Sequence, residues 1–228
     1  MLISKNLNFN ENLIKKKIYP CDSPSRPSLN DRFFIKAAVL FSIIPHVNEP
    51  YELILIHRSN MGTRHRGEMS FPGGKFEPEV DKSLKDTALR ETEEEIGVPR
   101  SNVRIIGCLD DFPTISKFIV TPFLGLISNS QKLKRDEREV QKILKVPIDF
   151  FINKINFTEQ EFGVADEKFP VFYFNYFNEE NGQTYTIWGA TAYLITHFLE
   201  LVYNVQIGSR KARRPTLDDI IRRHQYLK

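Results

Sequence analysis

Residues 90–98 read Arg90-Glu91-Thr92-Glu93-Glu94-Glu95-Ile96-Gly97-Val98, with four glutamates in five consecutive positions. On an α-helix, residues three and four apart share a face, so Glu91, Glu94 and Glu95 project side by side. Carboxylates held that close repel one another and are tolerated when solvated or when a hard cation neutralises them. Oxygen-only ligands suit Mg²⁺ or Mn²⁺ better than zinc. Taken alone, such a run is an ordinary solvated helix face. Its surroundings argue otherwise. Leu84, Ala88, Leu89 and Ile96 make the opposite face apolar, and the loop Gly73-Gly74 stands upstream. The helix is thereby pinned to a core, with its carboxylates turned to a loop able to hold phosphates. Ser83 caps the start, with Asp86 three residues on. Gly97 supplies the position after the helix, where positive φ is usual.

Outward from this helix, FIKAAVLFSII at 34–44 is β-branched and apolar and predicts a buried strand. ELILIH at 52–57 predicts a second, with Pro45, Asn48 and Pro50 marking the turn between them. From Ser59 to Gly74 the glycines predict a loop with a short strand around Met69–Phe71. Strands are expected at 103–109 and 118–127, an exposed charged stretch at 132–139, and a short helix or turn over 140–152. Residues 168–188 alternate around Asn181-Gly182, a hairpin signal. Residues 189–204 carry apolar side chains at helical spacing, and Pro215-Thr216 opens a last short helix after the basic run 210–214. A short helix is expected within 8–17 and an irregular lead-in over 18–30. The division is an N-terminal extension over 1–30, one domain over 31–206 and a basic helical tail over 207–228.

The 228 residues, 41% hydrophobic and 27% charged, describe an ordinary globular chain with a full core. A net charge of +3 is too small to argue for nucleic acid. The run AAVLFSIIP at 37–45 is half the length of a membrane span, and the N-terminus lacks an apolar signal core. A cytoplasmic location is the expectation. Two cysteines, Cys21 and Cys108, imply no disulfide framework and suit a reducing compartment. His57, His65 and His197 show no metal-ligand spacing.

The glycine at 74 followed by Arg90-Glu91-x-x-Glu94-Glu95-x-Gly97-Val98 resembles the Nudix box. Two departures stand out. Thr92 occupies a usually apolar position, and the stretch from Gly74 to Arg90 is two residues longer than usual. Counted back from Arg90, the box's first glutamate position holds Lys82, with Glu77, Glu79 and Asp81 as candidates for its role. The resemblance implies an α/β fold, the Nudix-like α/β/α sandwich with a mixed β-sheet. It implies Mg²⁺ or Mn²⁺ held by Glu91, Glu94 and Glu95, and a catalytic set of Arg90, Glu94 and, from outside the box, Glu139. Arg90 would brace the helix carboxylates, and Glu139 is a candidate general base.

A longer set of segments resembles the coenzyme A pyrophosphatase branch of that family. These are Arg58-Ser59, Phe71-Pro72-Gly73-Gly74-Lys75, Asp110-Asp111-Phe112-Pro113-Thr114, Glu139-Val140 with Val146-Pro147, and Ile187-Trp188-Gly189-Ala190-Thr191-Ala192. Thr63 replaces one basic position of the loop, with Arg64 beside it. The branch implies hydrolysis of the pyrophosphate of CoA or acyl-CoA to 3′,5′-ADP and 4′-phosphopantetheine or its acyl form. Substrate contacts would come from Arg58, Arg64, Gly73, Gly74 and Lys75. Trp188 is either strand packing or a stacking surface for adenine. The partner implied is a small nucleotide, with no membrane and no nucleic acid, and a homodimer is left open. Another nucleoside diphosphate derivative, such as ADP-ribose or NADH, is the alternative. A non-catalytic nucleotide- or RNA-binding Nudix module is the alternative of another class, supported by Lys82 and the basic run 210–214.

Overall fold

A computed structural model describes residues 7–60, 66–164, 167–209 and 215–226. In chain order its elements are α1 (Glu11–Lys15), β1 (Ile35–Ile44), β2 (Glu52–Arg58), β3 (Met69–Ser70), β4 (Gly73–Lys75) and α2 (Leu84–Ile96). Then come β5 (Val103–Cys108), β6 (Phe112–Pro113), β7 (Phe118–Ile127) and β8 (Val140–Pro147). The chain closes with β9 (Phe157–Val164), β10 (Glu167–Asn178), β11 (Gln183–Trp188), α3 (Gly189–Tyr203) and α4 (Leu217–Tyr226).

β1 is the pivot of the main sheet. It runs parallel to β7 from Ile35↔Phe118 to Ile43↔Leu126, and antiparallel to β2 at one end and to β4 at the other. β5 and β6 pair antiparallel with β7, and β3 and β8 with β2, so the sheet is mixed. Side chains alternate across a strand. Ala38, Leu40 and Ile44 of β1, with Ile54 and Ile56 of β2, pack on Ala88 and Ile96 of α2. Phe41 and Ile43, with Leu53 and Leu55, pack in the core that holds Ala192, Ile195, Phe198 and Leu199 of α3. One helix therefore covers each face, the α/β/α sandwich expected. A second sheet, β9-β10-β11, adds Phe172, Phe174, Tyr185 and Ile187 to the α3 side.

Three expectations are corrected. Residues 140–147 are strand β8, paired with β2 from Glu52↔Pro147 to Arg58↔Val140. Their Lys-rich sequence permits a turn or helix, but a strand edge is available and pairing satisfies the backbone, with 3-10 turns confined to 148–152. Gly73 and Gly74, expected in a loop, form a short strand with Lys75 that pairs with Val39, Ala38 and Ala37. Cys21 and Cys108 are joined in a disulfide, which the cysteine count did not suggest.

The disulfide belongs to a wider attachment of the N-terminal segment. Leu7, Ile14 and Ile18 are buried in the α3-side core, and Tyr19 forms a bridge with Cys108. Arg26 donates to Asp111 at 2.6 Å, and the backbone N–H of Leu29 to the same carboxylate at 2.8 Å. At the other end, Ile220 of α4 packs on Phe34 and Ile119. Among the described residues no helix is long and apolar enough to cross a membrane.

Candidate active site

α2 forms where the sequence stops and starts it. The Ser83 side chain accepts from the Asp86 N–H at 3.2 Å, capping the first turn. Gly97 ends the helix in the left-handed region at φ 69° and donates to the Glu93 carbonyl. Thr92 stands where the family pattern is apolar, and its hydroxyl donates to the Ala88 carbonyl at 2.6 Å, so its burial leaves no unmet polar group.

Arg90 is the brace of the acidic face. Its Nε and Nη2 fork onto Asp81 at 2.8 and 3.0 Å, and its Nη1 reaches Glu91 at 2.8 Å and Glu94 at 2.9 Å. Asp81 is buried and also accepts from the Thr87 hydroxyl and the Glu77 N–H. The guanidinium, and then those donors, hold its carboxyl down at about 2 despite the burial. Asp81 thus anchors Arg90 from the long loop, while Lys82, Glu77 and Glu79 are exposed. Of the three acidic candidates, Asp81 is the one paired with Arg90.

Glu95 is fully buried. Its two oxygens accept from Arg58 Nη1 at 2.7 Å and from the Gly73 N–H at 2.9 Å. Burial nevertheless pushes its carboxyl up to about 8. Burial also raises Glu91. Glu91 lies flat against the Gly-Gly strand: a Cβ on Gly74 would stand 2.3 Å from its Oε1, and one on Gly73 would stand 2.4 Å from the Ala38 carbonyl. The glycines therefore permit two close approaches, of a carboxylate and of β1. Glu139, just before β8, is exposed, and its charge acts on both Glu91 and Glu95.

The structure brings Arg58, Gly73, Gly74, Arg90, Glu91, Glu94, Glu95 and Glu139 into one acidic neighbourhood. Arg58, expected to touch substrate, is paired to Glu95, a role that sequence spacing does not reveal because 37 positions separate them. Arg64 lies outside the described residues. Among the described residues no three carboxylate, imidazole or thiolate groups already converge on one point. Glu91 and Glu94 turn to Arg90, and Glu95 to Arg58. The donor set nonetheless suits a hard divalent cation. Glu91, Glu94, Glu95 and Glu139 with Asp81 outnumber Arg58 and Arg90, and two of them are disfavoured as anions by burial, which a cation would relieve.

Beside this face opens a cavity of about 1000 Å³. Arg58, Gly73, Gly74 and Lys75 line its end nearest the site, the helix glutamates themselves not being among the lining residues, and Phe112, Phe172, Tyr193 and Trp188 are among its other walls. Trp188 is 40% exposed and stacks parallel to Tyr173, with ring centroids 6.0 Å apart.

The NUDIX domain model matches residues 37–165. The chain is 32% identical over 180 residues to "Uncharacterized Nudix hydrolase NudL" of Photorhabdus laumondii, covering 78% of this chain and 89% of that protein. It is 34% identical over 170 residues to "Nudix hydrolase 22, chloroplastic" of Arabidopsis thaliana, covering 74% and 55%. Among solved structures, the Nudix hydrolase of Alicyclobacillus acidocaldarius is 17% identical, with 77% of this chain and 98% of that one covered at a TM-score of 0.45. The chain belongs to the Nudix family, and the domain makes it a hydrolase acting on a nucleoside diphosphate derivative.

Proposed function

We propose that the substrate is coenzyme A or an acyl-CoA, cleaved at its pyrophosphate to 3′,5′-ADP and 4′-phosphopantetheine or the acyl form. The observation that carries this reading is one of placement. Phe71–Lys75, Phe112–Thr114 and Trp188–Thr191, three separate segments that resemble the CoA pyrophosphatase branch, all line the cavity beside the acidic helix.

Mg²⁺ or Mn²⁺ on Glu91, Glu94 and Glu95 would supply charge neutralisation at the bridging phosphates. Arg90 holds Glu91 and Glu94 in register, and Arg58 with the Gly73 N–H holds Glu95. Lys75, exposed on the cavity lining, is a cation offered to phosphate, and Arg64, which lies outside the described residues, is proposed as a second. Glu139 is proposed to accept the proton of the attacking water. The water oxygen bonds to one phosphorus as the anhydride P–O bond breaks.

The test is product analysis by chromatography on a panel of CoA, acetyl-CoA, ADP-ribose and NADH with Mg²⁺ and with Mn²⁺. CoA is expected to give 3′,5′-ADP. ADP-ribose turned over far faster than CoA overturns the proposal in favour of another nucleoside diphosphate derivative. Absence of metal-dependent hydrolysis of any of them favours a binding module.

A further inference from the structure

The cavity is larger than phosphate recognition requires. At about 1000 Å³ it matches the upper end of small-molecule pockets, roughly 300–1,000 Å³. Away from Arg58, Gly73, Gly74 and Lys75, its walls include Phe112, Val171, Phe172, Tyr193, Val205 and Ile207. Phe112 stacks on Tyr193 at 4.6 Å with an 18° tilt, and Phe172 lies nearly parallel to Tyr193 at 6.3 Å. The result is a smooth aromatic wall.

Several polar side chains on this lining are already committed elsewhere. The Thr191 hydroxyl donates to the Met69 carbonyl at 3.0 Å, and that of Thr196 to the Tyr193 carbonyl at 2.9 Å. Thr114 accepts from the Phe118 N–H, and Ser209 donates to Glu159. These residues therefore offer the cavity mainly methyl and methylene surface. Against such surface an alkyl chain gains from each methylene removed from water.

We propose that this cavity seats the acyl chain of an acyl-CoA, so that the chain favours medium- or long-chain thioesters over free CoA. The proposal rests on the CoA reading above and assigns to it a subsite with its own chemistry. Continuity supports it: Gly73 and Gly74, against which Glu91 and Glu95 lie, also line the cavity, so a ligand whose diphosphate sits at this glycine strand can extend an apolar tail along the aromatic wall.

Two readouts test it. The first compares kcat/KM for CoA, acetyl-CoA and decanoyl-CoA, the last below its micelle concentration, in the wild type and in Val171→Phe and Ala190→Leu, which narrow the cavity from β10 and from α3. The wild type is expected to show a KM for decanoyl-CoA about tenfold or more below that for CoA. Each variant is expected to lower the decanoyl-CoA to CoA ratio of kcat/KM by about tenfold. Melting temperatures identify a variant that fails to fold, in which case the other carries the test.

The second readout needs no turnover. Trp188 is the chain's single tryptophan and lines the cavity, so its emission reports occupancy. Without metal, it should respond saturably to decanoyl-CoA and to decanoic acid at concentrations where CoA has little effect. CoA hydrolysis with no chain-length preference, or equal losses for CoA and decanoyl-CoA in both variants, overturns the acyl subsite and leaves the CoA function standing. Absence of hydrolysis of CoA and its thioesters overturns the function itself. In that case the response to decanoic acid still decides whether the cavity takes a chain.

Discussion

Asp81 sets the position of Arg90, and through it of Glu91 and Glu94. Asp81→Asn keeps the shape but removes the charge, and we expect a loss of about 10–100-fold in kcat with little change in KM. A pH effect follows as well. The folded carboxyl lies at about 2, below its ordinary value of 3.8, so the group stabilises the fold fully above about pH 4. That contribution, about 2 kcal/mol, is lost as pH falls from about 4 to 2. Urea unfolding across this window should therefore show a steeper acid loss in the wild type than in Asp81→Asn, and parallel curves would refute the assignment. Glu94→Gln should abolish metal-dependent turnover with the melting temperature kept, since Glu94 is exposed. The sequence names Glu91, Glu94 and Glu95 because helical spacing puts them together. It leaves Asp81 among three candidates because a loop has no periodicity to count along. It assigns Arg58 to substrate because its pairing with Glu95 arises only when β2 lies beside α2.

The Gly73-Gly74 strand and α2 act as one unit, joined by the Gly73 N–H to Glu95 and by the packing of Glu91 over Gly74. Gly74→Ala would drive Glu91 off its seat, and the expected outcome is a fall of about 10–100-fold in activity with the fold retained by circular dichroism. Ser83→Ala removes the N-cap of the same helix and should lower stability by about 1 kcal/mol in denaturant unfolding. At this scale α2, β1, β2, β7 and α3 are legible from apolar periodicity and caps, and so is the turn between β10 and β11. β4 is not, because two adjacent glycines oppose strand formation and only pairing with β1 holds them extended. β8 is hidden in a Lys-rich stretch for the same reason: its partner β2 is over 80 positions away in the chain.

For the whole molecule, the N-terminal segment behaves as part of the core, with Leu7, Ile14 and Ile18 buried and Cys21 tied to Cys108. The link closes a span of 87 residues, so Cys21→Ser should lower stability by about 2–4 kcal/mol, read as a drop in melting temperature that a reducing agent reproduces in the wild type. A reducing agent that leaves the wild-type melting temperature unchanged would refute this. The parallel pairing of β1 with β7 carries a further consequence. Parallel neighbours need a crossover, and here α2 is the helix within that connection, so the acidic face is carried on the link that makes the sheet possible. During synthesis on the ribosome, β1 has β2 and β4 as neighbours long before residues 118–127 emerge to occupy its other edge. Until then that edge is open to pairing with any strand it meets, so the nascent chain passes through a stage at which its future central strand is an aggregation hazard.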